Sequence, residues 1–409
     1  MLKKLTKMEI NNKGFSVYSD LLKASPSKKR QTPNIDFVFD YFPKISLSKY
    51  PAFSNQPFIA EFYLGNSLFF SDKIYCGMFS NIFPRWVDDW KMTVRKENGD
   101  LMDSFSFLDK IKTGNVRLTF DTSSLGDNIA FMGYVQKFVN RYQIRNLTVS
   151  TFYNQLFRSE YPDIKFEIPN YYPEKHDINI GLGWYDEDDR NIHKKDPRTI
   201  PLQQVSSDIL GVDYAGDIRP KIVKKLYKRP SDKKYICIAT ESTAGAKYWH
   251  YPGGWQNLID MLISIGFDVV VIQQQENNYS GVIDRTGDLP LEDRISDLLQ
   301  CEFFIGLGSG LSWLAWSAGV PVVLISGFSQ PFCEFSDKTL RIINKNVCHG
   351  CFNNPKYKFD KSWWWCPEHA GTDRQFECTT SITPKEILDA ILNWEHFLLP
   401  NVPSFNKDI

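Results

Sequence analysis

From residue 235 the chain repeats one alternation, in which a short apolar run, a loop and an amphipathic run lead to the next short apolar run. "YICIAT" (235–240) precedes a glycine-containing loop and "GWQNLIDMLISIG" (254–266). Then come "FDVVVI", "LEDRISDLLQ", "CEFFIGLG", "GLSWLAWSAG" and "PVVLIS", ending at residue 326. Unbroken apolar runs suit strands buried on both faces, and the segments between them suit helices that cover those faces. Such a chain is restricted to a parallel sheet built from βαβ units. An earlier series starts at residue 116 with "VRLTFD", the loop "TSSLGD" and "NIAFMGYVQKFVNRY" (128–142), whose apolar residues 129, 132, 135, 138 and 139 form a helical stripe. "NLTVST", "IKFEI" and "DINIGLG" supply further strands. Two successive α/β lobes imply a ligand in the cleft between them.

Residues 1–110 read differently, as alternating runs such as "FIAEFYL", "SLFFSDKIYCGMF" and "WKMTVRKENGDLM", separated or ended by Gly65-Asn66 and Asn98-Gly99. This is the pattern of a small antiparallel, β-rich domain. The expected division is therefore 1–110 (β-rich), 111–220 (first Rossmann-like lobe, acceptor side), 221–345 (second lobe, donor side), 346–380 (cysteine finger) and 381–409 (C-terminal helix and tail). The basic stretch "KIVKKLYKRPSDKK" (221–234) reads as the end of a helix running into an exposed linker. Lys+Arg and Asp+Glu both number 48, so no global field recruits nucleic acid or a membrane surface. The N-terminal start has lysines without the apolar run of a secretory signal, and "LSWLAWSAGVPVVLISGF" is broken by Gly319 and Pro321 rather than spanning a membrane. Eight cysteines are too sparse for a disulfide scaffold, which places the chain in a reducing cytoplasm.

Three strand-to-helix junctions can carry chemistry. In "FDTSSLGDNIAF" (120–131), Ser124, Leu125 and Gly126 allow close backbone approach, and Asp127 is either a helix N-cap or a base. In "ATESTAGAKYWHYPGGW" (239–255), Glu241, Thr243 and Lys247 face the cleft, and Lys247 is either a surface lysine or a point charge on a phosphate. In "GLGSGLSWLAWSAGVP" (306–321), a glycine-rich turn with Ser309, Gly310 and Leu311 offers backbone amides to a diphosphate. It lacks the dinucleotide fingerprint, because Ser312 stands where the last glycine would be.

Cys348, Cys351, Cys366 and Cys378 follow the spacing C-x2-C-x14-C-x11-C in a stretch with Pro355, Pro367 and Gly371. This is the spacing of a tetrahedral four-thiolate site, closed to a catalytic water and so structural, with zinc and iron both compatible. His349 lies between two of the cysteines as a solvent-facing residue or a further ligand, and Trp363, Trp364 and Trp365 either dock the finger or stack on an acceptor.

In order and spacing, "TSSLGD", "STAGAKYW" and "GSGLSWLAWSAGVPVV" resemble the motifs of bacterial ADP-heptose heptosyltransferases over about residues 115–345. The resemblance implies a glycosyltransferase-B fold of two Rossmann-like domains, Asp127 as the base that deprotonates the acceptor hydroxyl, and Lys247 on the donor diphosphate. It also implies Ser309, Gly310 and Leu311 at the donor's phosphates and sugar. Lipopolysaccharide heptosyltransferases begin the third motif Asp-Thr-Gly-Leu-Ser-His, where this chain has Gly308-Ser309-Gly310-Leu311-Ser312-Trp313. With the β-rich region and the four cysteines added, nearly the whole chain resembles the TibC-type autotransporter heptosyltransferases. That likeness implies an ADP-glycero-manno-heptose donor, serine hydroxyls of autotransporter adhesin passengers as acceptors, an iron ion on the four cysteines, and a dodecamer. A heptosyltransferase for lipopolysaccharide or another glycan, and a non-catalytic adhesin-binding scaffold, are the competing expectations.

Overall fold

The computed structural model describes residues 33–169, 176–183, 193–360 and 362–394. The N-terminal start, read above for export signals, and the end of the C-terminal tail lie outside the described residues.

Strands β1 (Ile35–Asp40) and β2 (Phe42–Leu47) form a hairpin around Tyr41, followed by β3 (Phe58–Leu64), β4 (Ser67–Ile74), β5 (Phe79–Asn81), β6 (Trp90–Lys96) and β7 (Leu101–Ser106). Four of these make an antiparallel sheet in the order β4-β3-β6-β7. Alternation sends Phe58, Ala60 and Phe62 of β3, and Trp90, Met92 and Val94 of β6, to one buried face.

After α1 (Phe107–Thr113), the first lobe runs β8 (Asn115–Phe120), α2 (Leu125–Tyr142), β9 (Asn146–Ser150), α3 (Asn154–Phe157), β10 (Lys165–Glu167), β11 (Ile178–Leu182) and α4 (Leu202–Ile209). Its parallel strands continue into the N-terminal region, giving a seven-stranded sheet in the order β10-β9-β8-β11-β1-β2-β5. The sheets therefore do not divide at residue 110. β11 offers an open edge, β1 pairs with it in parallel through Phe39 opposite Ile178, and Phe39 becomes fully buried. Alternation shows that a segment is a strand but not which sheet it joins.

The second lobe runs β12 (Tyr235–Ile238), α5 (Gly254–Ser264), β13 (Asp268–Val271), β14 (Ile283–Asp284), α6 (Leu291–Leu299), β15 (Phe304–Gly306), α7 (Gly310–Ala318), β16 (Val322–Ile325) and β17 (Thr339–Ile342). Its six strands are all parallel, in the order β14-β13-β12-β15-β16-β17. Residues 221–234 are irregular and largely exposed, so the helix end expected there is absent. Pro220 and Pro230 bracket a run of like charges, which removes amide donors and adds repulsion. Beyond α8 (Glu377–Thr380), helix α9 (Pro384–Leu392) opens with a capping box between Thr383 and Glu386 and buries Ile387 and Ile391 in the second-lobe core. A continuous apolar core joins the N-terminal strands, the first lobe and α7, and holds the lobes together.

Candidate active site

Asp127 sits in the first turn of α2, just past the C-terminal end of β8, where an open parallel sheet presents its loops to ligand. Ser124 is the N-cap, its hydroxyl 3.5 Å from the Asp127 amide, and Thr122 Oγ1 donates to Asp127 Oδ2 at 2.9 Å. The capping role therefore belongs to Ser124, and the Asp127 carboxylate is held at the helix start by Thr122. Tyr153 donates to the Ser123 carbonyl at 2.7 Å; burial, and then the nearby charge of Asp127, push its phenol pKa above the usual range.

The glycine turn at the start of α7 meets this loop from the other lobe. A Cβ on Gly310 would lie 2.9 Å from Leu125 Cβ and 3.3 Å from the Gly126 amide, and one on Gly126 would lie 2.9 Å from Trp313. Gly126 and Gly310 are thus required by contact between the lobes. Trp313 is buried edge-on to Trp316 and Phe335, at 5.5 and 5.0 Å, so it packs between the lobes. Ser309 caps α7 without a side-chain capping bond, and its hydroxyl is buried with no partner among the described residues. Such an orphaned group next to free helix-start amides is suited to a polar ligand.

Strand β12 neighbours β15, so the loop bearing Glu241, Thr243 and Lys247 leaves the sheet beside the glycine turn. Thr243 is exposed, and Glu241 and Lys247 are half-buried. Burial raises the Glu241 pKa above the usual carboxylate range. The Lys247 ammonium has no hydrogen bond or ion pair among the described residues, and the Ser242 hydroxyl is buried without a partner. The finger lies directly on this segment, because Gly245 and Ala246 amides donate to the Ser362 and Trp363 carbonyls at 3.0 and 2.8 Å. Trp363, 2% exposed, shares a small apolar core with Ala244, Ala246, Phe328 and Cys351. Trp364 and Trp365 remain 61% and 44% exposed. Docking is therefore the role of Trp363.

All eight cysteines are free thiols, and Cys351, Cys366 and Cys378 are buried. Burial pushes the pKa of Cys348 and Cys378 up to about 12 and that of Cys351 to about 11, with Glu377 and then the neighbouring thiols adding to it at Cys348, and the neighbouring thiols at the other two. The four thiols are electrostatic neighbours, yet the donor atoms gathered within 4.8 Å of one another are those of Cys348, His369 and Glu377. The sequence singled out His349, whose Nδ1 instead lies 2.9 Å from the Val347 carbonyl. The residue types suit a thiophilic ion, since three of the four thiols are buried and all are free, but the four sulfurs are not gathered within 4.8 Å of one another. The His369 amide already donates to Cys366 Sγ at 3.4 Å, the kind of outer bond that steadies a thiolate ligand.

No protein-family model matches the chain. The Escherichia coli autotransporter heptosyltransferase Aah is 37% identical over 311 residues, which cover 72% of this chain and 79% of Aah. The chain belongs to the autotransporter heptosyltransferases. It is accordingly a glycosyltransferase by family, although one relative, 31% identical over 66% of this chain, is the inactive autotransporter heptosyltransferase BimC of Burkholderia thailandensis. The crystal structure of TibC from enterotoxigenic E. coli H10407, an iron-containing dodecameric glycosyltransferase, superposes with a TM-score of 0.79 at 30% identity, over 90% of this chain and 98% of TibC. TibC in complex with ADP-D-β-D-heptose gives a TM-score of 0.78 at 29% identity, with the same coverage. The mixed α/β, two-lobed fold is thus that of a heptosyltransferase. No helix among the described residues is long and apolar enough to cross a membrane.

In this heptosyltransferase the fold brings Leu125, Gly126 and Asp127 against Gly310, and places the Lys247 loop on the adjoining strand end. Several neighbours escaped the sequence analysis. Glu334 accepts from Ser329 Oγ and Arg341 Nη2, both at 2.9 Å, and a Cβ on Gly308 would lie 2.8 Å from its Oε1. Asp121, Arg85 and Tyr41 form a second cluster beside the Asp127 loop. The available signal was the pair Gly181 and Gly183 at and just past the end of β11, since glycine at a strand end marks close approach by a neighbouring group.

Proposed function

We propose that the chain transfers heptose from ADP-glycero-manno-heptose to serine hydroxyls of an autotransporter adhesin passenger in the cytoplasm, with Asp127 as general base. The observation that carries this reading is the contact of the Asp127 loop with the Gly310 turn, beside a Lys247 that has no partner among the described residues, in a fold shared with TibC.

The acceptor serine oxygen attacks the anomeric carbon while its proton passes to Asp127. The bond from that carbon to the diphosphate oxygen breaks, and ADP leaves with the bonding pair. Thr122 orients the carboxylate through its Oδ2. The Lys247 ammonium and the amides at the start of α7 offset the charge growing on ADP, so the chemical step is served by groups of the chain itself. Ser124, Leu125, Gly126, Glu241, Thr243, Ser309, Gly310 and Leu311 line the donor side. Iron, with zinc as the alternative ion, would be held by Cys348, Cys351, Cys366 and Cys378, where it would cross-link the finger against the donor segment. By likeness to TibC the chain assembles as a dodecamer.

ADP release, followed with purified passenger and ADP-heptose, tests the base assignment. Asp127→Asn is expected to lower kcat by about 10²- to 10⁴-fold with donor binding retained. Near-normal turnover in a folded Asp127→Asn protein would remove Asp127 from that role, and passenger binding without ADP release from the parent protein would favour the scaffold.

A further inference from the structure

Residues 121–124 join β8 to α2 and lead directly to Asp127. Three of the four are fastened from inside the first lobe. Asn128 Nδ2 donates to the carbonyls of Thr122 and Ser124, both at 2.8 Å, and Tyr153 holds the Ser123 carbonyl. The side chain of the first, Asp121, is held from the N-terminal region instead. Tyr41 donates to Asp121 Oδ1 at 2.7 Å, and Arg85 Nη2 donates to Oδ2 at 2.6 Å.

This second cluster is built with unusual local demands. Arg85 is only 7% exposed, its guanidinium lies 5.5 Å from the Tyr41 ring, and its Nε is buried with no hydrogen-bond partner among the described residues. A buried guanidinium with one charged partner is a costly arrangement unless that pairing does something. Tyr41 has φ 62°, a left-handed conformation that a side-chain-bearing residue adopts only when its surroundings enforce it. Its ring lies so close over Gly181 that a Cβ there would overlap it, and a Cβ on Gly183 would lie 3.1 Å from Asp121. Tyr41 and Arg85 thus reach across β11 to the loop end, and β11 is cleared to let them through.

We propose that Arg85 and Tyr41 are positioning residues for heptosyl transfer: by holding Asp121 they fix the entry of the loop that presents Asp127. This rests on Asp127 being the base. It also gives the N-terminal region a part in the reaction besides extending the sheet. A hydroxyl that only contributed to stability could be removed without changing kcat in the folded enzyme, whereas one that sets the base cannot, because small misplacement of a catalytic group is expensive.

The test uses full-length Tyr41→Phe and Arg85→Ala, the first of which keeps the ring and its packing. In both, kcat is expected to fall by about 10- to 100-fold, with KM for ADP-heptose within about twofold of the parent. Amide hydrogen exchange across 121–127 should rise by about tenfold, with β12 and β15 unchanged. A fall in kcat with unchanged loop exchange, faster exchange with unchanged kcat, or no change in either would overturn the proposal. Asp127→Asn reports separately on the base itself, and loop exchange in Tyr41→Phe reads the holding of the loop whatever the identity of that base.

Discussion

Replacing Trp363 by alanine should release the donor segment together with the finger. The indole is 2% exposed and makes edge contacts with Phe328 at 5.2 Å and Phe359 at 6.1 Å. Its neighbouring backbone is paired to Gly245 and Ala246, immediately before Lys247. Truncating a buried tryptophan costs about 3–5 kcal/mol, whereas two backbone hydrogen bonds contribute about 1 kcal/mol each. The truncation therefore outweighs the pairing, and residues 243–248 should detach locally while the lobes stay folded, because Trp363 belongs to a small apolar cluster apart from the two large cores. A charge-assisted contact from Lys247 to the donor diphosphate contributes about 1.5–3 kcal/mol, so losing its placement should weaken ADP binding about 10- to 150-fold. Calorimetric titration with ADP of the parent, Trp363→Ala and Lys247→Ala proteins measures this directly. Lys247→Ala sets the ceiling for any effect transmitted through that lysine. Unchanged ADP affinity in folded Trp363→Ala protein would refute the idea that the finger holds the donor segment.

Gly310→Ala places a Cβ 2.9 Å from Leu125 Cβ and should cost about 1–3 kcal/mol by overpacking, seen as a lower melting temperature and a lower kcat. Metal analysis of purified protein should find about one ion per chain, and chelation should loosen the finger before the lobes, with a stability loss of up to about 10 kcal/mol for that unit; exchange protection around Trp363 that survives complete chelation would contradict this. His250 stacks face to face on Phe376 at 3.9 Å, and burial pushes its pKa below the usual imidazole range. The unfolded chain therefore takes up this proton first, so the stability contributed by neutral His250 is full above about pH 6.5 and declines as pH falls below that value. Denaturant midpoints at neutral and mildly acidic pH should differ more in the parent than in His250→Gln.

The two parallel sheets were legible because their strands are buried on both faces and alternate with helices, a pattern that survives without tertiary information. The Asp127 junction was legible for the same reason, since strand, loop and helix are contiguous in the chain. Membership of the N-terminal strands was not, because β1 chooses between a sheet of its own and the open edge of β11 through contacts about 140 residues apart, such as that of Asp40 with Asn179. Gly126 and Gly310 were visible as glycines, but the reason for each lies on the other lobe. Arg85 and Tyr41 carried no local pattern at all: one sits in an irregular loop, the other in a hairpin turn, and only the fold brings both to Asp121. The spacing of the four cysteines led to the expectation of a four-thiolate site, whereas the proximity of His369 and Glu377 to Cys348 depends on the path of the chain between them.

Mass spectrometry of an autotransporter passenger incubated with this protein and ADP-heptose tests the central claim most directly. Heptose-sized increments on serine residues, absent with Asp127→Asn, are the expected result. An unmodified passenger in the presence of protein that demonstrably binds ADP-heptose would contradict it.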